Sequence, residues 1–487
     1  MSKKYSVCLL LLLAAIASHA QAPRKFYMRF GGNGYDAGYD VKQTLDNGYI
    51  ITGSTSSFGQ GNTDLYLLRL DSMGNRKFEK SFGSYNNEIG KSVLQLSDSS
   101  YVAVGYTNST GFGGYDIFLL KTDKNGNLLW QKTIGGSDWD FAYSLQSTFD
   151  GGFVIAGTTY SYGHGNADGY VVKTDGNGNV VWTKTYGGLY DDEFKSVVQT
   201  SDGGFALTGS TKSYNDVDSG DVWVFKLDIM GDSVWCKFFG GSREDFANQI
   251  MEHPSGELYI VGGTKSFGAN LNYYNAYSFR LYSNGNFYNQ TIDNTSADDA
   301  VFNSIVVSKR TPNIVNTISY VKIAGYEKQI KVLEMDYGLN YSASAGFGST
   351  LNDELYRLIA TKDKGYAAVG YTEGDGAVLR DGYFVKLDSL LSFGSFSTVS
   401  VEEIPAEENS LLSIFPNPAK HHVTIKSAKP IQQKSIRVTD WLGRETELDG
   451  KLETISSYEL LLQTDHLIPG MYIIFAGDSK HKLIIMN

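Results

Sequence analysis

A carboxylate recurs at one fixed place along this chain: Asp36, Glu88, Asp140, Asp192, Asp245, Asp298 and Asp353. Each stands six residues after an apolar or aromatic anchor: Phe30, Phe82, Ile134, Tyr186, Phe239, Ile292 and Phe347. Two kinds of chemistry suit such a column. Oxygen ligands suit hard cations, so an acidic ring would hold calcium. A carboxylate in a turn also accepts hydrogen bonds from backbone N–H groups, and would lock each unit to itself or to the next. Seven converging negative charges repel one another unless counter-ions or hydrogen bonds offset them.

A second recurring set is aromatic: Phe58, Phe112, Tyr162, Tyr214 and Phe267 lie in polar, glycine-rich segments of variable length. Rings placed there either stack on sugars or wedge between neighbouring units. The segments Asp71–Asn75, Asp123–Asn127 and Asp175–Asn179 look like calcium loops, yet the twelfth position counted from Asp175 is Tyr186 where a bidentate glutamate would be needed. They read as hairpin turns in which Gly and Asn take positive φ. Between residues 24 and 398 there are only two histidines, His164 and His253. Metal-ligand spacing, a GxSxG elbow and a serine with a histidine partner are all missing. Paired acids such as Asp191/Asp192 and Glu244/Asp245 suit glycosidase chemistry, but every unit has something similar. The sequence therefore assigns no catalytic residue, no metal and no cofactor, with calcium as the one ion the acidic column would accept.

The elements that position these residues come from a repeat. The anchors at 30, 82, 134, 186, 239, 292 and 347 are spaced 52 to 55 residues apart. A glycine ends the second apolar run of each unit (Gly53, Gly105, Gly157, Gly209, Gly262, Gly325, Gly370), and an aspartate ends the third (Asp71, Asp123, Asp175, Asp228, Asp336, Asp388). A large aromatic opens the fourth: Phe78, Trp130, Trp182, Trp235. The sixth copy, about 292–346, is degenerate and keeps register only through Gly325 and Asp336. Four short strands per unit, here a to d, fit a β-propeller blade, since no such unit buries both faces alone. Seven copies predict seven blades over 24–398. Phe26–Phe30 matches strand d without its own a, b and c. It is expected to complete the last blade and remove an open edge. A β-helix or a string of sandwiches fits less well, because the period is long and no linkers separate the copies. Chain direction puts the d-to-a and b-to-c loops on one face, so acids and loop aromatics would share it.

The two ends of the chain differ from the repeat. Lys3 and Lys4, the apolar run Val7–Ile16 and Ser18-His19-Ala20 read as a signal peptide over 1–20, too short to span a bilayer. Its removal leaves Cys236 as the only cysteine, so no intramolecular disulfide is expected. The formal net charge of −11 argues against nucleic acid as a partner. Residues 399–409 (VSVEEIPAEEN) are acidic, carry Pro405 and read as a linker. Residues 410–487 form a second small β domain.

That last segment carries Phe415-Pro416-Asn417-Pro418-Ala419, then Val423-Thr424-Ile425, Asp440–Arg444 (DWLGR), Leu467–Ile473 (LIPGMYI) and a terminal run Lys482–Met486. In this order the set resembles the type A C-terminal sorting domain of type IX secretion cargo. The resemblance implies an Ig-like β-sandwich read by the secretion machinery at the outer membrane, a cut within 399–409, and a protein that is secreted or attached to the cell surface. The fold expected is all-β: a seven-bladed propeller of four-stranded blades followed by that sandwich. The function expected is non-enzymatic binding or adhesion, with a glycan or protein on the loop face. An enzyme acting on extracellular polysaccharide, the alternative, would need an extra acid, Tyr or Lys in the channel mouth, and the sixth copy is where the sequence leaves room. A purely structural surface component is the other alternative.

Overall fold

Each repeat forms four antiparallel strands in the order a-b-c-d. In the first blade they are Asp36–Gln43, Tyr49–Thr55, Asp64–Leu70 and Arg76–Phe82. The computed structural model describes residues 25–391 apart from 215–218, 269, 294–298, 311–313, 323–327, 350 and 375, then 397–398, 412–415, 421–427, 432–440, 445–446, 448, 450–467, 470–476 and 479–485. The signal segment, the 399–409 linker and Asp298 lie outside these residues. The chain divides into two compact units, 1–399 and 400–487.

The first unit holds seven such sheets. Strands b and c of the first blade, Tyr49–Thr55 and Asp64–Leu70, are buried along their whole length because neighbouring blades cover both faces, whereas strand c of the sixth blade, Lys328–Asp336, is only partly buried. Strand d is the outer one, and in the first and third blades its side chains are half-buried or exposed. Strand a of every blade packs against strand a of the next, and the seventh packs against the first, so the sheets close into a ring.

Three repeated contacts fasten blade to blade. In six of the blades the first N–H of strand a bonds the carbonyl just ahead of strand c in the preceding blade. Examples are Glu88 to Thr63 (2.7 Å), Asp140 to Tyr115 (2.6 Å) and Asp192 to Ala167 (2.8 Å). A bulge in the middle of strand a then frees a side chain for the next blade's backbone. Val197 N–H donates to Ser144 Oγ (3.2 Å), Ile250 N–H to Ser196 Oγ (3.3 Å) and Leu358 N–H to Ser304 Oγ (3.1 Å). At the closing joint the same place is Asp40, which accepts from Val93 N–H (3.0 Å) on one side and Arg357 Nε (3.0 Å) on the other. Finally, the strand d aromatic lies on the turn glycine of the next blade. A Cβ on Gly126 would meet Phe78 at 2.8 Å, and one on Gly178 would meet Trp130 at 2.7 Å.

Phe26–Phe30 completes the seventh blade, as its aromatic pattern predicts. It pairs antiparallel with Asp381–Leu387, from Phe26 opposite Lys386 to Phe30 opposite Gly382. Phe26 covers Gly74 of the first blade just as Phe78 covers Gly126. Ser397–Thr398 adds a short parallel pairing against Phe26 and Tyr27.

The sixth blade corrects two register assignments. Its strand a begins at Ala300, so the strand position taken elsewhere by Asp36 or Asp140 holds no carboxylate. Its strand b, Ile314–Lys322, places Ser319 opposite Phe302, where the other blades put a glycine, and Gly325 falls outside the described residues. This strand is nine residues long against seven elsewhere, which shifted the apparent register. Asp336 keeps its place in the c-to-d turn, accepting from Asn340 N–H (2.9 Å).

The second unit has two sheets. One is ordered Leu412–Phe415, His422–Ser427, Glu459–Gln463, Leu452–Ser456; the other Ile436–Asp440, Gly470–Ala476, Ser479–Ile485. Val423, Ile425, Val438, Leu460, Leu462 and Ile474 form its core.

Candidate functional site: the loop face and the central channel

The carboxylate column occupies the first residue of strand a, and its members are buried. Asp140, Asp192 and Asp245 are 0% exposed, Glu88 and Asp353 1%, and Asp36 2%. Each accepts from the backbone N–H four residues earlier: Gly32 to Asp36 (2.9 Å), Ser84 to Glu88 (2.9 Å), Gly136 to Asp140 (2.7 Å), Gly188 to Asp192 (2.8 Å), Gly241 to Asp245 (2.9 Å), and Ser349 to Asp353. A serine of the b-to-c loop adds its hydroxyl to Asp36, Asp140, Asp192 and Asp245, as Ser161 does to Asp140 at 2.7 Å. Thr107 does the same for Glu88 at 2.5 Å. These side chains hold their own d-to-a loop against their own b-to-c loop.

A second column precedes the first by 24 residues in four places, with Asp64, Asp116, Asp168 and Asp221 ahead of Glu88, Asp140, Asp192 and Asp245. Asp64, Asp116, Asp168, Asp221 and Asp381 open strand c and are likewise buried. The two columns meet across a glycine at four blade junctions, at Gly83, Gly135, Gly187 and Gly240. A Cβ on Gly135 would stand 2.1 Å from Asp116 Oδ1 and 2.7 Å from Asp140 Oδ2, which is why the position tolerates no side chain. Burial raises the carboxyls of Asp64, Asp140, Asp168 and Asp381, and the facing carboxylate of the pair raises them further. Among the described residues no group of three or more His, Cys, Asp or Glu side chains is placed to hold a metal ion. In the c-to-d turns, Asp175 is occupied by Asn177 N–H, Asn179 N–H and Asn179 Nδ2, with Gly178 at φ 76°.

The loop aromatics divide. Tyr162 and Tyr214 lie on the face yet donate to the carbonyls of Gly135 (2.8 Å) and Gly187 (2.9 Å). Phe58 packs on Tyr66 and Phe267 on Tyr277, at 5.5 and 5.8 Å between centroids. Phe112 is 71% exposed. A different group, invisible to the repeat because it belongs to one junction only, forms a continuous aromatic shelf. Trp139 and Tyr160, both exposed, contact each other and Phe141. Phe141 in turn contacts Tyr115, Tyr106 and, stacked at 6.4 Å, Tyr143. The shelf runs from the loop face to the inner wall of the third blade.

There it meets a cavity of about 530 Å³ in the centre of the ring. Position four of strand a points into it from every blade: Tyr39, Lys91, Tyr143, Lys195, Asn248, Asn303 and Tyr356. Lys91 Nζ lies 3.6 Å from the centroid of Tyr39, and Lys195 Nζ 4.0 Å from that of Tyr143. Lys195 also pairs with Glu193 (2.6 Å), Lys328 with Glu354 (2.8 Å) and Arg357 with Asp40 (3.0 Å). Lys91 has no carboxylate within salt-bridge range among the described residues. Burial, then repulsion from Lys195, brings its pKa down to about 7. Cys236 is kept inert: burial pushes its thiol up to about 12.

The strand order and the closed ring define a β-propeller, and the second unit adds an export domain. Residues 413–486 match the family model described as the secretion system C-terminal sorting domain. The chain is a cargo of the type IX secretion system, exported to the cell surface or released from it. It is 30% identical over 207 residues to the regulatory protein FlaEY of Caulobacter vibrioides, a match covering 37% of this chain and 22% of that protein. The chain thus spans about a fifth of that relative's length. Among solved structures it is similar to the Pan2 WD40 domain of Neurospora crassa, with a TM-score of 0.44 at 12% identity, covering 75% of this chain and 96% of that one. The polysaccharide lyase Uly1 gives a TM-score of 0.44 at 10% identity, covering 74% and 90%. No helix among the described residues is long and apolar enough to cross a membrane, which says nothing of a β-barrel.

Proposed function

We propose that this exported propeller is a binding protein that takes a glycan on its loop face. The reading rests on one observation: Trp139 and Tyr160 stand exposed on that face and are backed by Phe141, Tyr115 and Tyr106. Rigid aromatic faces bury the apolar side of a sugar ring at little entropic cost. The carboxylate columns take the scaffold role in this reading, because local N–H and hydroxyl groups hold the Oδ2 atoms of Asp36, Asp140 and Asp245, although the Oδ1 atoms of Asp36 and Asp245 lie buried without a hydrogen-bond partner. A glycan array with the mature chain tests it, with and without calcium. Binding to at least one sugar is expected, and Trp139→Ala should weaken it about tenfold or more. Silence on every sugar, or an affinity that ignores Trp139, overturns the reading. An enzyme acting on extracellular polysaccharide is the second reading. It is favoured by the tyrosines and lysines that line the channel, which come from blades one to four and seven and, with Lys328, from the sixth. Turnover of a polysaccharide by the mature chain would decide for it.

A further inference from the structure

We propose that the central channel is a cage for the carboxylate of an acidic sugar, with Lys91 and Lys195 meeting the anion. The proposal deepens the glycan reading, since the shelf that leads into the cage would carry the rest of the chain. Lys91, Lys195, Lys328 and Arg357 line the cavity, and the carboxylates paired with them are Glu193, Glu354 and Asp40. One positive charge is left over, that of Lys91, in a protein whose formal net charge is −11. A local excess against the sign of the whole molecule marks a place where an anion is stabilised. Lys91 is where the excess concentrates, because a tyrosine face is its only close compensation.

The walls suit a sugar better than a bare inorganic anion. Tyr39, Tyr143 and Tyr356 supply ring faces and phenol groups. Asn248 Nδ2 donates to the Phe302 carbonyl (3.0 Å), which leaves its Oδ1 as an acceptor for a hydroxyl. The volume, about 530 Å³, is that of a small-molecule site. The depressed pKa of Lys91 is consistent with a cation waiting for its partner, and an anion beside it would raise that pKa again. The titratable and charged groups facing the cavity around it are Tyr39, Tyr106, Tyr143, Tyr356, Lys195, Glu193, Glu354, Lys328 and Arg357.

The test is calorimetric titration of the mature chain with oligosaccharides of alginate, polygalacturonate and hyaluronate, each beside its carboxyl-reduced, neutral counterpart, and with sodium sulfate. At least one acidic oligosaccharide should bind, its neutral counterpart at least tenfold more weakly. Lys91→Met, which keeps the stem on Tyr39, should cost tenfold or more while the thermal midpoint stays in place. Affinity should fall as the pH rises above about 7, where Lys91 of the free protein loses its proton, and this slope should vanish in Lys91→Met. Equal binding of acidic and neutral forms, an indifferent Lys91→Met, or no binding by any acidic oligosaccharide overturns the proposal. Sulfate binding as tight as the sugars also overturns it, by reducing the cage to a general anion site. The glycan reading fails separately: Trp139→Ala without effect sinks the shelf and leaves the cage, whereas an indifferent Lys91→Met sinks the cage and leaves the shelf.

Discussion

Asp140 carries its charge at a cost. Burial raises its carboxyl, the hydrogen bonds from Thr159, Ser161 and Gly136 work against that, and Asp116 across the glycine adds to it. A carboxyl whose folded pKa lies above its unfolded one favours the folded chain at acid pH, and that contribution disappears as the pH rises through the folded value. Asparagine keeps an acceptor for Gly136 and Ser161 but has nothing to ionise. The midpoint of Asp140→Asn relative to the unmutated chain should therefore climb as the pH rises above about 4, as followed by thermal melts. A difference that stays flat or shrinks would show that the pair exerts no such strain. Asp40 behaves oppositely. Burial would raise it, but Lys42 and then Arg357 overcome this and hold it at about 2, so it stabilises the ring throughout the neutral range. The sequence displays both residues equally well. Their roles differ because one faces a carboxylate and the other two cations, and only the assembled junction decides that.

Strands were the most legible level. Turn residues at a fixed period mark every blade, and the aromatic spacing of Phe26–Phe30 places a fourth strand some 350 residues away from its partners Asp381–Leu387. What the repeat hid was whatever does not repeat. Trp139, Phe141 and Tyr160 make a shelf only because three unlike columns happen to be aromatic at one junction. Lys91 and Lys195 share a column with Tyr39 and Asn248, and a column of mixed chemistry gives no periodic signal. The sixth blade misled because its strand b is longer than the others. The closing strand carries the clearest prediction of this level. Phe26 is buried, against Phe384 at 5.8 Å and over Gly74. Phe26→Ala should cost about 3–5 kcal/mol in denaturant unfolding of the mature chain. A loss below about 1 kcal/mol would mean that the seventh blade does not depend on its borrowed strand.

The whole molecule combines a ring that holds itself shut with a separate domain that directs its export. Deleting residues 410–487 should leave the protein within the cell envelope, as fractionation and immunoblotting would show; arrival at the surface without them would mean that another segment is read. The ring itself has a single seam. Phe26–Phe30 lies between Asp381–Leu387 on one side and Ser397–Thr398 on the other, so the polypeptide enters and leaves through the same blade. Every pairing that seals the seam is made before residue 399. Proteolysis farther along would sever the address label without unzipping the wheel, and detachment from the export route is a separate event from unfolding.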